Sequence, residues 1–152
     1  MKLPLQREQI LPRLEEKLPS LLQGTPVALA YLYGSVALDQ ATSRSDVDIA
    51  LILENNDLSP RQALHLELQL SVKLMEEADI PEPDVRIIND APLRIRGQVA
   101  CQGILLYSRD EEFRIRFETR TRDEYFDYQP IAQRLRAAYF ADIRERGFLA
   151  ER

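Results

Sequence analysis

The chain has 152 residues, of which 45% are hydrophobic and 30% charged, with a formal net charge of −5. This balance excludes a disordered segment, and the absence of any run of 18 apolar residues excludes a helix that spans a membrane. The acidic total, with no extended basic stripe, also gives little grip on a nucleic-acid backbone, so template-directed polymerisation is not expected.

One domain covering residues 1–152 is expected, with a core over about 25–108 and a helical C-terminal segment over about 110–147. Met1–Pro12 lacks the apolar stretch of a signal peptide, which points to the cytoplasm. The single cysteine, Cys101, rules out an intrachain disulfide and a thiolate-rich metal site, and is expected to be a small buried hydrophobe. Charge divides unevenly: Met1–Leu93 carries a net −7 and Arg94–Arg152 a net +2, and all 12 basic residues of the second part are arginine.

In chain order, Gln6–Leu22 places Ile10, Leu11, Leu14, Leu18 and Leu21–Leu22 at helical spacing, interrupted by Pro12 and Pro19, which predicts one broken helix or two short ones. Val27–Tyr33 (VALAYLY) and Asp48–Leu53 (DIALIL) are short apolar runs that predict strands buried on both faces at the sheet centre. Between them, Ser35–Asp39 is too short for a long helix and Gln40–Ser45 is a polar turn. Ser59 and Pro60 form an N-cap and first-turn proline, and Leu64, Leu68, Val72 and Met75 mark the apolar stripe of a helix running to about Asp79.

Pro81-Glu82-Pro83 ends that helix. Asp84–Ile88 (DVRII) then alternates as a strand, with Val85 and Ile87 opposite Asp84, Arg86 and Ile88. Pro92–Ala100 predicts a short helix and Ile104–Ser108 an edge strand. Asp110 opens a long helix carrying Phe113, Phe117, Thr121, Tyr125 and Tyr128, which Pro130 should break or kink and Gly147 should end. The whole is an α/β fold with a small mixed sheet flanked by helices.

The chemistry concentrates in Tyr33-Gly34-Ser35, ten intervening residues, then Asp46-Val47-Asp48 leading into a strand. Gly34 lets backbone approach a phosphate, and Ser35 offers a hydroxyl and an amide N–H at a turn, which together suit a triphosphate. Residues i and i+2 of a strand share a face, so Asp46 and Asp48 project side by side and call for a divalent cation such as Mg2+ between them. An in-register neighbouring strand would add Asp84, and three carboxylates can hold two ions in the manner of two-metal transfer enzymes. His65, the only histidine, lies mid-helix away from these residues, so histidine base catalysis has no support.

The string LYGSVALDQATSRSDVDIALIL resembles the signature of the minimal nucleotidyltransferase family of the DNA-polymerase-β-like superfamily, Gly-Ser, ten residues, Asp-x-Asp. The likeness continues through DVRIIND, APLRIRGQVACQGILLYSRDEE and FRIRFETRTRDEYFDY, and is greatest for the antitoxin branch encoded with HEPN-type toxins, small helical ribonucleases. The resemblance implies a polymerase-β-like fold and transfer of AMP from ATP to a tyrosine hydroxyl of the toxin. It also implies that Gly34 and Ser35 hold the triphosphate, that Asp46, Asp48 and Asp84 hold Mg2+, and that Asp84 receives the hydroxyl proton. The chain departs from the pattern at Leu38-Asp39, where many relatives carry Arg-Gly.

Two other functions use the same residues: a module that occludes a toxin without chemistry, and a nucleotidyltransferase acting on an antibiotic hydroxyl. The second normally needs a further domain to wall the acceptor site. Arg114, Arg116, Arg120 and Arg122 are expected either to meet the partner or the triphosphate, or to form a solvated face of i,i+4 ion pairs.

Overall fold

The computed structural model describes residues 4–147. A four-stranded sheet runs in the order β3-β2-β1-β4, from β1 (Val27–Tyr33), β2 (Val47–Leu53), β3 (Pro83–Ile87) and β4 (Ile104–Ser108). β1 lies antiparallel to both β2 and β4, whereas β2 and β3 are parallel and joined by a helical crossover. The sheet is therefore mixed, with β4 at an edge as expected.

Helices cover both faces. On one side α1 (Arg7–Leu22) and α3 (Pro60–Glu77) bury Ile10, Leu14, Leu18, Leu70 and Leu74 against Ala30, Leu32, Ile49 and Leu51. On the other, α4 (Leu93–Gln102) and the start of α5 (Glu111–Arg146) bring Val99, Phe113 and Phe117 onto Leu29, Tyr31, Ala50 and Ile52. Burial on both faces is why the two central strands read as continuous apolar runs.

Four expectations fail, each for a local reason. α1 is continuous through Pro12 and Pro19, because both prolines face solvent while Ile10, Leu14, Leu18 and Leu22 form an unbroken buried stripe. Burial of that stripe outweighs the hydrogen bonds the prolines remove. In α3, capped as expected by Ser59 with Gln62, the stripe Leu64, Leu68, Val72 and Met75 is about half exposed. A second ridge, Leu66, Leu70 and Leu74, faces the sheet instead. Both ridges have helical spacing, and periodicity alone does not choose between them.

Cys101 is exposed, because α4 turns Gly97, Val99 and Ala100 inward and the next position outward. A Cβ on Gly97 would collide with the Tyr125 ring, so α4 and α5 pack backbone to aromatic at this point.

Finally, α5 runs 36 residues without a break at Pro130, about 54 Å at 1.5 Å per residue. Asp110 caps it by accepting from the Glu112 and Phe113 amides, and Gly147 closes it at φ +71°. Its first half is tied down by the Tyr31 hydroxyl, which donates to Glu118 at 2.8 Å, while Arg114 and Arg122 pair with the same carboxylate. Beyond Tyr125 it leaves the sheet, and Phe126, Ile131, Leu135, Tyr139 and Phe140 are exposed. Pro130 lies in this solvated part, where no packing is disturbed.

Candidate active site at the sheet edge

Because β1 and β2 are antiparallel and β2 and β3 parallel, the end of β1 and the starts of β2 and β3 meet at one edge. Tyr33 pairs across from Asp48, and Asp48 lies beside Asp84. Four of the residues singled out in the sequence, Gly34, Asp46, Asp48 and Asp84, therefore converge from segments far apart in the chain.

Gly34 opens the one-turn helix α2 (Gly34–Ala37) at φ +75°, and any Cβ there would run into the Asp48 carboxylate. Glycine is required twice, by backbone conformation and by space. The turn folds back when the Gln40 amide donates to the Ser35 carbonyl at 2.8 Å. A cleft of about 200 Å³ lies over Tyr33, Gly34 and Ser35, walled by Leu38, Gln40 and the α4 side chains Gln98 and Gln102. It is smaller than the roughly 300–1,000 Å³ of whole-ligand pockets.

Leu38 lines this cleft with its side chain partly exposed, and Asp39 follows at φ +58°. A left-handed position explains why glycine suits the family pattern there and why aspartate is a tolerated substitute.

Asp46, just ahead of β2, is exposed, and Asp48 is half-buried. Burial pushes the Asp48 carboxyl up to about 6, the charges of Asp84 and then Asp46 add to the rise, and Arg86 opposes it. Burial likewise raises the Tyr33 hydroxyl, with Asp48 and Asp84 contributing. These are hard oxygen donors sharing one small edge, a set that fits Mg2+. As the side chains lie, no three acidic, histidine or cysteine groups among the described residues form a ready cation cluster. Asp84 is engaged by Arg86, whose Nε donates to both carboxylate oxygens at 3.2 and 3.3 Å.

Arg86 was legible as Asp84's strand-face neighbour two positions on, but an arginine among acids carries no motif. Gln98 and Gln102, one helical turn apart on α4, gave no signal until the fold brought α4 over the Gly-Ser turn.

Two of the α5 arginines singled out in the sequence lie away from this edge. Arg116 and Arg120 line a cleft of about 660 Å³ with Glu54 and Asn89, at the opposite end of β2, about 17 Å along the strand at 3.3 Å per residue. These two therefore line a different cleft from the Gly34-Ser35 turn. Arg120 pairs with Glu124 in the solvated-face arrangement, whereas Arg114 and Arg122 share the largely covered Glu118 carboxylate that anchors α5 to Tyr31. His65 is exposed on α3, away from the acids.

Helices on both faces of a small mixed sheet, with aspartates where three strand ends meet beside a Gly-Ser turn, define a nucleotidyltransferase architecture. The family model described as polymerase beta, nucleotidyltransferase matches residues 16–112, and the chain belongs to that family. No curated protein matches it in sequence.

Among solved structures, a chain from a toxin–antitoxin with AMP-PNP is 24% identical with a TM-score of 0.65, covering 83% of this chain and 98% of its own. A chain of the MntA–HepT toxin–antitoxin is 23% identical with a TM-score of 0.61, covering 84% and 97%. A chain from a tri-AMPylated Shewanella oneidensis HEPN toxin in complex with MNT antitoxin is 23% identical with a TM-score of 0.62, covering 84% and 96%. At these identities the shared property is the fold. No helix among the described residues is long and apolar enough to cross a membrane.

Proposed function

We propose that this chain is a Mg2+-dependent antitoxin that transfers AMP from ATP to a tyrosine hydroxyl of a cognate HEPN ribonuclease toxin in the cytoplasm and so neutralises it. The observation that carries the reading is Asp48 set between the Gly34-Ser35 turn on one side and Asp84 on the other. A donor triphosphate seated at the turn and an acceptor hydroxyl approaching from β3 would meet at this carboxylate. Solved relatives of the same fold include a complex with AMP-PNP and an AMPylated HEPN toxin complex, and a further one at 24% identity is an MntA–HpeT mutant in which two aspartates two positions apart are glutamate.

In the reaction a bond forms between the acceptor oxygen and the α-phosphorus, the bond to the bridging oxygen breaks, and pyrophosphate leaves. Mg2+, when bound, neutralises the triphosphate and favours the deprotonated acceptor. The chain's own residues do the rest. Gly34 brings backbone close to the phosphates, Ser35 offers its hydroxyl, and Gln98 and Gln102 add amide groups to the same cleft. Asp46, Asp48 and Asp84 supply the metal-binding oxygens. A tyrosine with an ordinary pKa of about 10 needs a proton acceptor, and Asp84, on the acceptor side, fills that role.

The test is incubation of the purified chain with a HEPN toxin encoded beside it and ATP labelled at the α-phosphorus. Label on the toxin that requires Mg2+ supports the reading. Label only on small hydroxyl compounds would favour the antibiotic-type enzyme. A bound, silenced and unlabelled toxin would favour occlusion, a second reading to which the exposed apolar residues of outer α5 lend weight.

A further inference from the structure

We propose that Arg86 is an internal counter-ion that competes with a divalent cation for Asp84, so that metal loading and departure of this guanidinium are a single event. The inference rests on the reading of Asp46, Asp48 and Asp84 as the metal-binding set. Those three carboxylates share one edge, and Asp48 is directly beside Asp84 in register. Without a cation their charges repel one another.

Arg86 answers that repulsion from within the chain. It lies two residues after Asp84 in β3, so both side chains leave the same strand face. Its Nε sits against both Asp84 oxygens, the atoms a metal ion would need.

Exposure says which partner gives way. The Arg86 side chain is 66% exposed and that of Asp84 33%. Arg86 is a long, flexible cation at the solvent side, able to swing into water at little cost, whereas the Asp84 side chain is the more covered of the two. Exchange of one positive charge for two also matches a site carrying three carboxylates. Arg86 is therefore a positioning residue, which keeps Asp84 in place before the metal arrives and yields it afterwards.

The decisive experiment is titration of Mn2+ into the full nucleotide-free chain, following free Mn2+ by electron paramagnetic resonance. The proteins are the parent, Arg86→Gln, Arg86→Lys, Asp84→Asn and the double variant Asp84→Asn/Arg86→Gln, each checked for folding by thermal melting. Arg86→Gln is expected to bind Mn2+ about two- to fivefold more tightly than the parent, the fold-change that corresponds to removing an exposed ion pair. Arg86→Lys, which keeps the charge but on a compact and more strongly hydrated ammonium, should fall between the two and serves alone if the glutamine variant does not fold. In the Asp84→Asn background the Arg86→Gln change should have no effect, since the competition has lost its object.

Unchanged or weaker Mn2+ binding in both Arg86 variants would overturn the inference, as would equal tightening with and without Asp84. If the parent and every variant bind no Mn2+, the metal reading itself falls and this inference with it. Binding by the parent that ignores Arg86 defeats this inference alone.

Discussion

The acid-bearing sheet edge and the outer half of α5 are both polar and both open to solvent, but they are built in opposite ways. At the edge, Gly34, Asp48 and Asp84 are fixed by strand register and stand on a core of buried Leu, Ile and Val. On α5 beyond Tyr125, apolar residues such as Leu135, Tyr139 and Phe140 project from a helix that buries none of its residues there among the described ones. The contrast separates two jobs: reacting groups need positions fixed to fractions of an ångström, whereas a surface that meets a partner can remain unsupported until that partner arrives.

The comparison is broken most directly by matched truncations. Leu74→Ala, in the fully buried stripe of α3, should cost about 2–5 kcal/mol of folding stability, whereas Leu135→Ala on outer α5 should change it by no more than about 0.5 kcal/mol. Urea unfolding of both variants measures this. A Leu135→Ala loss as large as that of Leu74→Ala would mean that the outer helix is part of the fold's own core.

Two glycines give a smaller and sharper contrast. Gly34 and Gly147 both have φ above +70°, but a Cβ at Gly34 meets the Asp48 carboxylate while one at Gly147 meets nothing within 4 Å. Gly34→Ala should cost about 1–3 kcal/mol and impair the site, whereas Gly147→Ala, at a helix end free to fray, should cost well under that. Thermal melting distinguishes them, and equal effects would place the strain in φ alone.

The smallest effect is in pH. Asp48 has its folded carboxyl raised from 3.8 to about 6, so the fold favours its protonated form. The associated stability is fully present below its unfolded value and is lost as pH rises through about 6. In EDTA the parent should therefore melt lower, relative to Asp48→Asn, above about pH 7 than below about pH 4, with the magnitude reduced by solvent screening of a half-buried group. The opposite trend would show that the Asp48 charge is stabilised by the fold.

Much of this was legible in residues whose physics is local. The apolar runs of β1 and β2, the Ser59-Pro60 helix start and the Gly-Ser…Asp-x-Asp spacing each follow from nearest neighbours, and Asp84 followed once a neighbouring in-register strand was assumed. What escaped depends on the third dimension. Leu64-Leu68-Val72-Met75 and Leu66-Leu70-Leu74 are equally periodic, and only the position of α3 over the sheet decides which is buried. Pro12 and Pro19 are tolerated because of the direction they face, and Pro130 because its part of α5 is solvated. The distance of Arg116 and Arg120 from the acids is set by the course of α5 across the sheet, and the hold of Arg86 on Asp84 is a rotamer choice that no motif records.

The central claim, that this edge transfers AMP to a protein tyrosine, is tested most directly by the intact mass of a HEPN toxin co-expressed with the parent chain, Asp46→Asn or Asp48→Asn. The parent should leave the toxin heavier by one AMP residue or a multiple, mapped to tyrosine. Each variant should fold, still bind the toxin and leave its mass unchanged, a loss beyond the roughly 10–100-fold typical of an outer-shell partner of a metal. An unmodified, silenced toxin with the parent, or full modification by Asp48→Asn, would contradict the account.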